Sequence, residues 1–131
     1  MLEIAGVNQN DIVYDLGSGD GRIVVMAAKE FGARSIGIEA DPFRARWSRF
    51  AIRRSRVEER ARVIGGNFFD ISLSDATVVT LYGGYKINMR IGEKLASELR
   101  AGTRVVSYRF FIEGWTPAKT DEDSSIYLYV A

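Results

Sequence analysis

A β-branched start, Ile12-Val13, leads into Tyr14-Asp15-Leu16-Gly17-Ser18-Gly19-Asp20-Gly21-Arg22, and no other stretch restricts the fold of this chain as tightly. Glycine at 17, 19 and 21 removes three Cβ atoms from one loop. The backbone can therefore turn sharply and approach a ligand closely. A helix-like run begins near Arg22, and a helix start offers unpaired N–H groups to whatever lies on the loop. Strand, glycine loop and helix in this order place a nucleotide-like small molecule at the carboxyl end of the first strand.

The alternation of strand and helix periods continues along the chain. Asp11 to Leu16 reads as the first strand, and Arg22 to Phe31 as a helix stopped by Gly32. Ser35 to Glu39 is a second strand. Asp41-Pro42 then reads as N-cap and first position of a helix running to about Val57. Phe43, Trp47 and Phe50 are expected to turn that helix toward the core. Ala61 to Ile64 and Ala76 to Leu81 are further strands. A helix from Lys86 to Arg100 carries Ile87, Ile91, Leu95 and Leu99 four apart, and Gly102 ends it. Arg104 to Phe111 is a fifth strand. Trp115 to Lys119 and Ile126 to Val130 read as an antiparallel pair around a polar turn. The implied architecture is α/β: a doubly wound, mostly parallel sheet with a C-terminal antiparallel hairpin. Residues 1–131 fit a single domain.

The chain contains no histidine and no cysteine. Histidine-based acid–base catalysis, thiolate chemistry, disulfides and zinc sites are excluded, and no metal is expected. No stretch approaches the ~18 apolar residues of a membrane span, and Met1 to Asn10 lack the features of a signal peptide. The expectation is a cytoplasmic protein with no membrane partner. Formal net charge is only +1. Arginines nevertheless crowd residues 44 to 62. They form either a solvated helix face or a docking surface for an acidic partner.

The dinucleotide fingerprint places its third glycine at position six. Here position six counted from Gly17 is Arg22, so the match to a dehydrogenase is poor. Glu39 lies 22 residues beyond Gly17, near the ~20 expected of a carboxylate that grips ribose hydroxyls. The loop holds Asp15 and Asp20 and no lysine, which repels a phosphate and suits a cation. S-adenosylmethionine meets these demands, with a ribose, a sulfonium and an amino group. The alternative for the glycines is a tight strand–helix turn alone, for Asn67 an ordinary turn residue, and for Phe68 and Tyr82 a packing role; Trp115 is read as core rather than substrate contact.

Asp15-Leu16-Gly17-Ser18-Gly19-Asp20-Gly21 with Glu39 resembles the cofactor site of the class I S-adenosylmethionine-dependent methyltransferases, whose fold is Rossmann-like. Further stretches narrow the resemblance. They are Gly66-Asn67-Phe68-Phe69-Asp70, Val78-Val79-Thr80-Leu81-Tyr82, Gly102 to Ser107, Gly114-Trp115-Thr116-Pro117 and Tyr127-Leu128-Tyr129. As an ordered set they resemble the small archaeal and bacterial protein-lysine methyltransferases. Those are related to the mitochondrial enzymes that modify ATP synthase and the adenine nucleotide translocase.

The resemblance implies a cofactor site. Gly17 and Gly19 lie against the methionine part, with Asp15 near its amino group and Ser18, Asp20 and Gly21 completing the loop. Glu39, followed by Ala40, holds the ribose, while Asn67 and Phe68 flank adenine. Thr80, Leu81 and Tyr82 line the passage for the acceptor, and Tyr82 is the candidate for orienting the amine. The implied activity is transfer of methyl to protein lysine side chains. The alternatives are a cofactor-binding module with little activity alone and a nucleic-acid methyltransferase. Met1-Leu2-Glu3-Ile4-Ala5 reads as the last turns of the helix that carries a lid in the relatives, so the lid itself is expected to be absent. Gly83-Gly84-Tyr85-Lys86 replaces a more apolar acceptor loop.

Overall fold

The computed structural model describes residues 1–82, 88–109 and 111–131. The chain runs β1 (Ile12–Leu16), α1 (Arg22–Lys29), β2 (Arg34–Glu39), α2 (Pro42–Arg54) and β3 (Ala61–Gly65). A single 3-10 turn, Phe68–Asp70, precedes β4 (Val78–Tyr82), and α3 (Asn88–Glu98) leads to β5 (Arg104–Tyr108). A hairpin of β6 (Lys119–Asp121) and β7 (Ile126–Val130) completes it. The sheet order is β3-β2-β1-β4-β5-β7-β6. β1 to β5 are mutually parallel, and β7 is antiparallel to both β5 and β6. The chain leaves β1 toward β2 on one side and later returns to place β4 on the other. The strand order therefore reverses at β1, the position where open α/β sheets hold their ligands.

Alternation along the strands sorts the core into two layers. Val13, Val78, Val106 and Leu128 pack with Ala27 of α1 and with Leu2, Ala5 and Val7 of the N-terminal segment. Tyr14, Val79, Val105 and Tyr129 pack with Ile91 and Leu95 of α3 on the other face. The N-terminal segment closes with Gly6 N–H on Glu3 O and Val7 N–H on Leu2 O, with Gly6 at φ +65°, the bond pattern that ends a helix. Arg104 pins it from below, donating Nη1 to Ala5 O at 2.6 Å and pairing through Nη2 with Asp11.

Several expectations need correction. The helix α2 does present one face to the core, but that face is Ala45, Ser48 and Ile52. Phe43, Trp47 and Phe50 are exposed. At Ser48 the helix sits so close to the glycine loop that no large side chain fits between them, while Ile52 packs further along against Val24 and Ala28. The first hairpin strand is Lys119–Asp121, later than expected, and β5 ends at Tyr108 because Arg109 takes φ +69°. The helices end two to three residues early, with Arg56 at φ +58° stopping the chain after α2. Gly83-Gly84-Tyr85-Lys86 and Ile87 lie outside the described residues. Gly92, unfavourable inside a helix by about 1 kcal/mol, sits where a Cβ would come within 3.1 Å of Glu113 O. Its missing side chain lets α3 dock against the 112–115 segment.

Candidate active site

Gly17, Gly19 and Gly21 all take positive φ, at +82°, +57° and +84°. Gly21 is doubly constrained, since a Cβ there would lie 2.8 Å from the Cα of Ser48. Ser48 is wholly buried and was not singled out by sequence reasoning. Its hydroxyl donates to Gly19 O at 2.7 Å and meets Ser18 Oγ at 3.1 Å. The only sequence signal for it was a small residue four before Ile52 on the same helix face.

The loop keeps its own N–H groups occupied. Gly17 and Ser18 donate to Ile38 O, Gly21 donates to Ser18 O, and Arg22 donates to Asp20 Oδ1. Gly19 N–H donates to Glu39 Oε1 at 2.8 Å. The N–H groups of Gly17, Ser18, Gly19, Gly21 and Arg22 are therefore spent. A phosphate would meet the carboxylates of Asp15, Asp20 and Glu39, offset by Arg22, which is already paired with Asp20, whereas a cation finds acceptors.

Asp15 supplies the strongest of these. It faces Thr80 across the β1–β4 boundary, in register, and accepts from Thr80 Oγ1 at 2.7 Å. Burial pushes its carboxyl up to about 7, against the pull of the Thr80 hydroxyl, and the Glu39 and Asp20 carboxylates add to the rise. Among the described residues no cationic side chain is ion-paired with it.

Asp15, the glycine loop, Arg22 and Ile23 line one wall of a cleft of about 430 Å³, and Met1, Tyr82, Tyr108 and Ile126 line the rest. Tyr82 and Tyr108 pair across β4 and β5 and stack with ring centroids 5.1 Å apart and planes 11° from parallel. Tyr108, Met1 and Ile126 were not anticipated here. Thr80 and Leu81, expected to line the acceptor passage, are instead buried: Thr80 holds Asp15, and Leu81 belongs to the α3-side core.

Glu39, Ala40, Asn67 and Phe68 form a second patch, on the adjoining ends of β2 and β3. Gly66 N–H donates to Glu39 O at 2.9 Å and so ties the two ends together. The Glu39 carboxylate is buried. It bridges Gly19 N–H and Asp41 N–H. Asn67 is exposed and accepts from Phe69 N–H at 2.9 Å, leaving its amide hydrogens free to donate to a ligand. Phe68 is half-buried against the α3-side core, and Ala40 is exposed. The two patches share the Gly19–Glu39 bond, so the loop and the end of β2 form one continuous edge.

A family model for the ANTKMT methyltransferase domain matches residues 15–119. A protein-lysine N-methyltransferase of Saccharolobus islandicus is 44% identical over 137 residues, covering 99% of this chain and 85% of that protein. An ATP synthase lysine N-methyltransferase of Xenopus laevis is 36% identical over 110 residues, covering 84% of this chain and 48% of that protein. This chain thus spans about half the length of the ATP synthase relatives. The crystal structure of an RNA methyltransferase from Salinibacter ruber, in complex with S-adenosyl-L-homocysteine, superposes with a TM-score of 0.95 at 40% identity. That match covers 98% of this chain and 86% of the other.

Proposed function

Because this chain belongs to the ANTKMT methyltransferase domain family, we propose that it methylates lysine side chains of proteins at the Asp15–Tyr82 cleft. It is an S-adenosylmethionine-dependent methyltransferase. The observation that carries the lysine reading is 44% identity to a protein-lysine methyltransferase across nearly the whole chain.

The residues present fit that cofactor. Asp15 is a buried carboxyl with no ion-pair partner among the described residues, opening on a cleft whose loop has few donors left for a phosphate. Asp15 would hold the amino group. The Cα surfaces of Gly17 and Gly19 would lie along the methionine chain, beside Ser18, Asp20 and Gly21. Glu39 would accept from the ribose hydroxyls while keeping Gly19 and Asp41 in place. Asn67 and Phe68 would flank adenine, next to Ala40. The bound cofactor supplies an electrophilic methyl on its sulfonium.

The rest falls to the acceptor side. A lysine amine has an ordinary pKa of ~10.4 and must shed its proton before it can attack. Contact with an apolar aromatic wall, away from water, disfavours the ammonium form. The stacked Tyr82 and Tyr108 provide one such wall at the end of β4 and β5, and the chain has no histidine to act as base. Desolvation and alignment by this pair are the contribution assigned to the protein.

Incubation with methyl-labelled cofactor, a lysine-rich protein mixture and RNA tests the proposal. Label on methyl-lysine, located by mass spectrometry, is the expected result. A second reading, methylation of RNA, draws on the Salinibacter ruber relative, which is described as an RNA methyltransferase. Label on RNA alone would replace the first reading with the second. Cofactor binding with label on neither would reduce the chain to a binding module.

A further inference from the structure

The aromatic residues of α2 stand on the side away from the protein. Its buried line is Ala45, Ser48 and Ile52. With 3.6 residues per turn, Phe43, Trp47 and Phe50 fall on the opposite side. They are 71%, 63% and 55% exposed. Between Asp41 and Glu58 the chain carries six arginines and no acidic residue. Among the described residues, none of those six arginines is in an ion pair. Three large aromatic side chains in a row on solvent gain nothing for the fold and mark a contact surface.

We propose that α2 is a docking helix that lays its aromatic ridge into the surface of an anionic lipid bilayer. Two observations select this occupant. The uncompensated arginines beside the ridge demand a negative partner. The shape then favours lipid. The rings project outward from a convex helix, one turn apart, where headgroups and acyl chains can close around them. Single-stranded nucleic acid is held instead in a groove with its bases stacked on ring faces. Tryptophan and phenylalanine suit the boundary between headgroup and acyl chain, where arginine guanidinium groups can meet lipid phosphates. The contact is peripheral, since no helix among the described residues is long and apolar enough to cross a membrane. The proposal is independent of the identity of the methyl acceptor.

Sedimentation of the full chain with phosphatidylglycerol vesicles, and separately with phosphatidylcholine vesicles, is the test. Binding is expected to the first and at least tenfold less to the second, and it should weaken as salt rises. Trp47 emission should shift to the blue on adding phosphatidylglycerol vesicles, and the shift should vanish in Trp47→Phe. The combined variant Phe43→Ser, Trp47→Ser, Phe50→Ser should sediment at least tenfold less. Its cofactor affinity and unfolding midpoint should match the parent, which separates lost docking from lost folding. Equal sedimentation of parent and combined variant would overturn the proposal. So would a blue shift that persists in Trp47→Phe, or displacement from vesicles by equimolar single-stranded RNA.

Discussion

Thr80 Oγ1 donates to Asp15 Oδ1 at 2.7 Å from the neighbouring parallel strand, and both side chains are buried. Strand register sets this bond, since Asp15 and Thr80 lie directly opposite on the α1 face of the sheet. The hydroxyl eases the ionised carboxylate, and burial opposes it more strongly.

The balance makes Asp15 a pH-dependent liability in the empty protein. Its folded carboxyl titrates near 7, above the ordinary 3.8. The protonated form therefore adds stability that is fully present below about 4 and is lost as pH rises through 7. At 1.36 kcal/mol per pH unit, the loss is on the order of 4 kcal/mol. Asp15→Asn should abolish this slope and leave the empty protein more stable than the parent at pH 8, but not at pH 4. Urea unfolding across pH 4 to 8 checks it. Cofactor affinity at pH 8 should fall at least tenfold in the same variant, read by calorimetry.

Glu39→Ala should damage both binding and folding. It removes the acceptor for Gly19 N–H and Asp41 N–H, and stranding two donors costs about 2–4 kcal/mol. Glu39→Gln retains one carbonyl for Gly19 and should lose less than half of that. Both variants should lose cofactor affinity at least tenfold. A stability loss under 1 kcal/mol for Glu39→Ala would show that the two bonds contribute little.

Gly21→Ala tests the packing of the loop on α2. The new methyl meets the Ser48 backbone and is held at φ +84°, so about 3 kcal/mol of stability should go. Gly19→Ala has positive φ but open space around it and should cost about 1–2 kcal/mol. Chemical unfolding of the pair separates conformational strain from crowding.

Tyr82→Ala should leave stability within about 1 kcal/mol, because the ring is 62% exposed. Its effect should fall on the acceptor. We expect kcat/KM for the protein substrate to drop at least tenfold, with cofactor affinity within threefold of the parent. Steady-state kinetics with a fixed acceptor protein, combined with calorimetry, makes the comparison.

Much of the fold around this site was legible in the residues, and the failures share a cause. Glycine spacing, the Asp41-Pro42 helix start and the β-branched runs are local signals, and each produced its element near the expected place. The mostly parallel sheet followed from alternation, whereas its strand order came from the structure. What sequence could not supply was distance between elements. The period of α2 is real, yet Phe43, Trp47 and Phe50 were turned inward because size was taken for burial. The approach of Ser48 to Gly21 excludes a large side chain at that point of the facing side, a distance that sequence does not carry. The structural role of Glu39 was not visible because one of its two backbone partners, Gly19, lies twenty residues away. Thr80 and Leu81 were given to the cleft because a strand end reads as exposed until its neighbours are known.

Asp15 also makes the empty cleft a store of protons. Near neutrality a fraction of the molecules hold a hydrogen on that carboxyl. A positively charged ligand favours the anion, so loading the cleft drives that hydrogen into the solvent. Cofactor uptake measured at pH 6.5 should therefore release heat that changes with the ionisation enthalpy of the buffer, and this dependence should fade by pH 9.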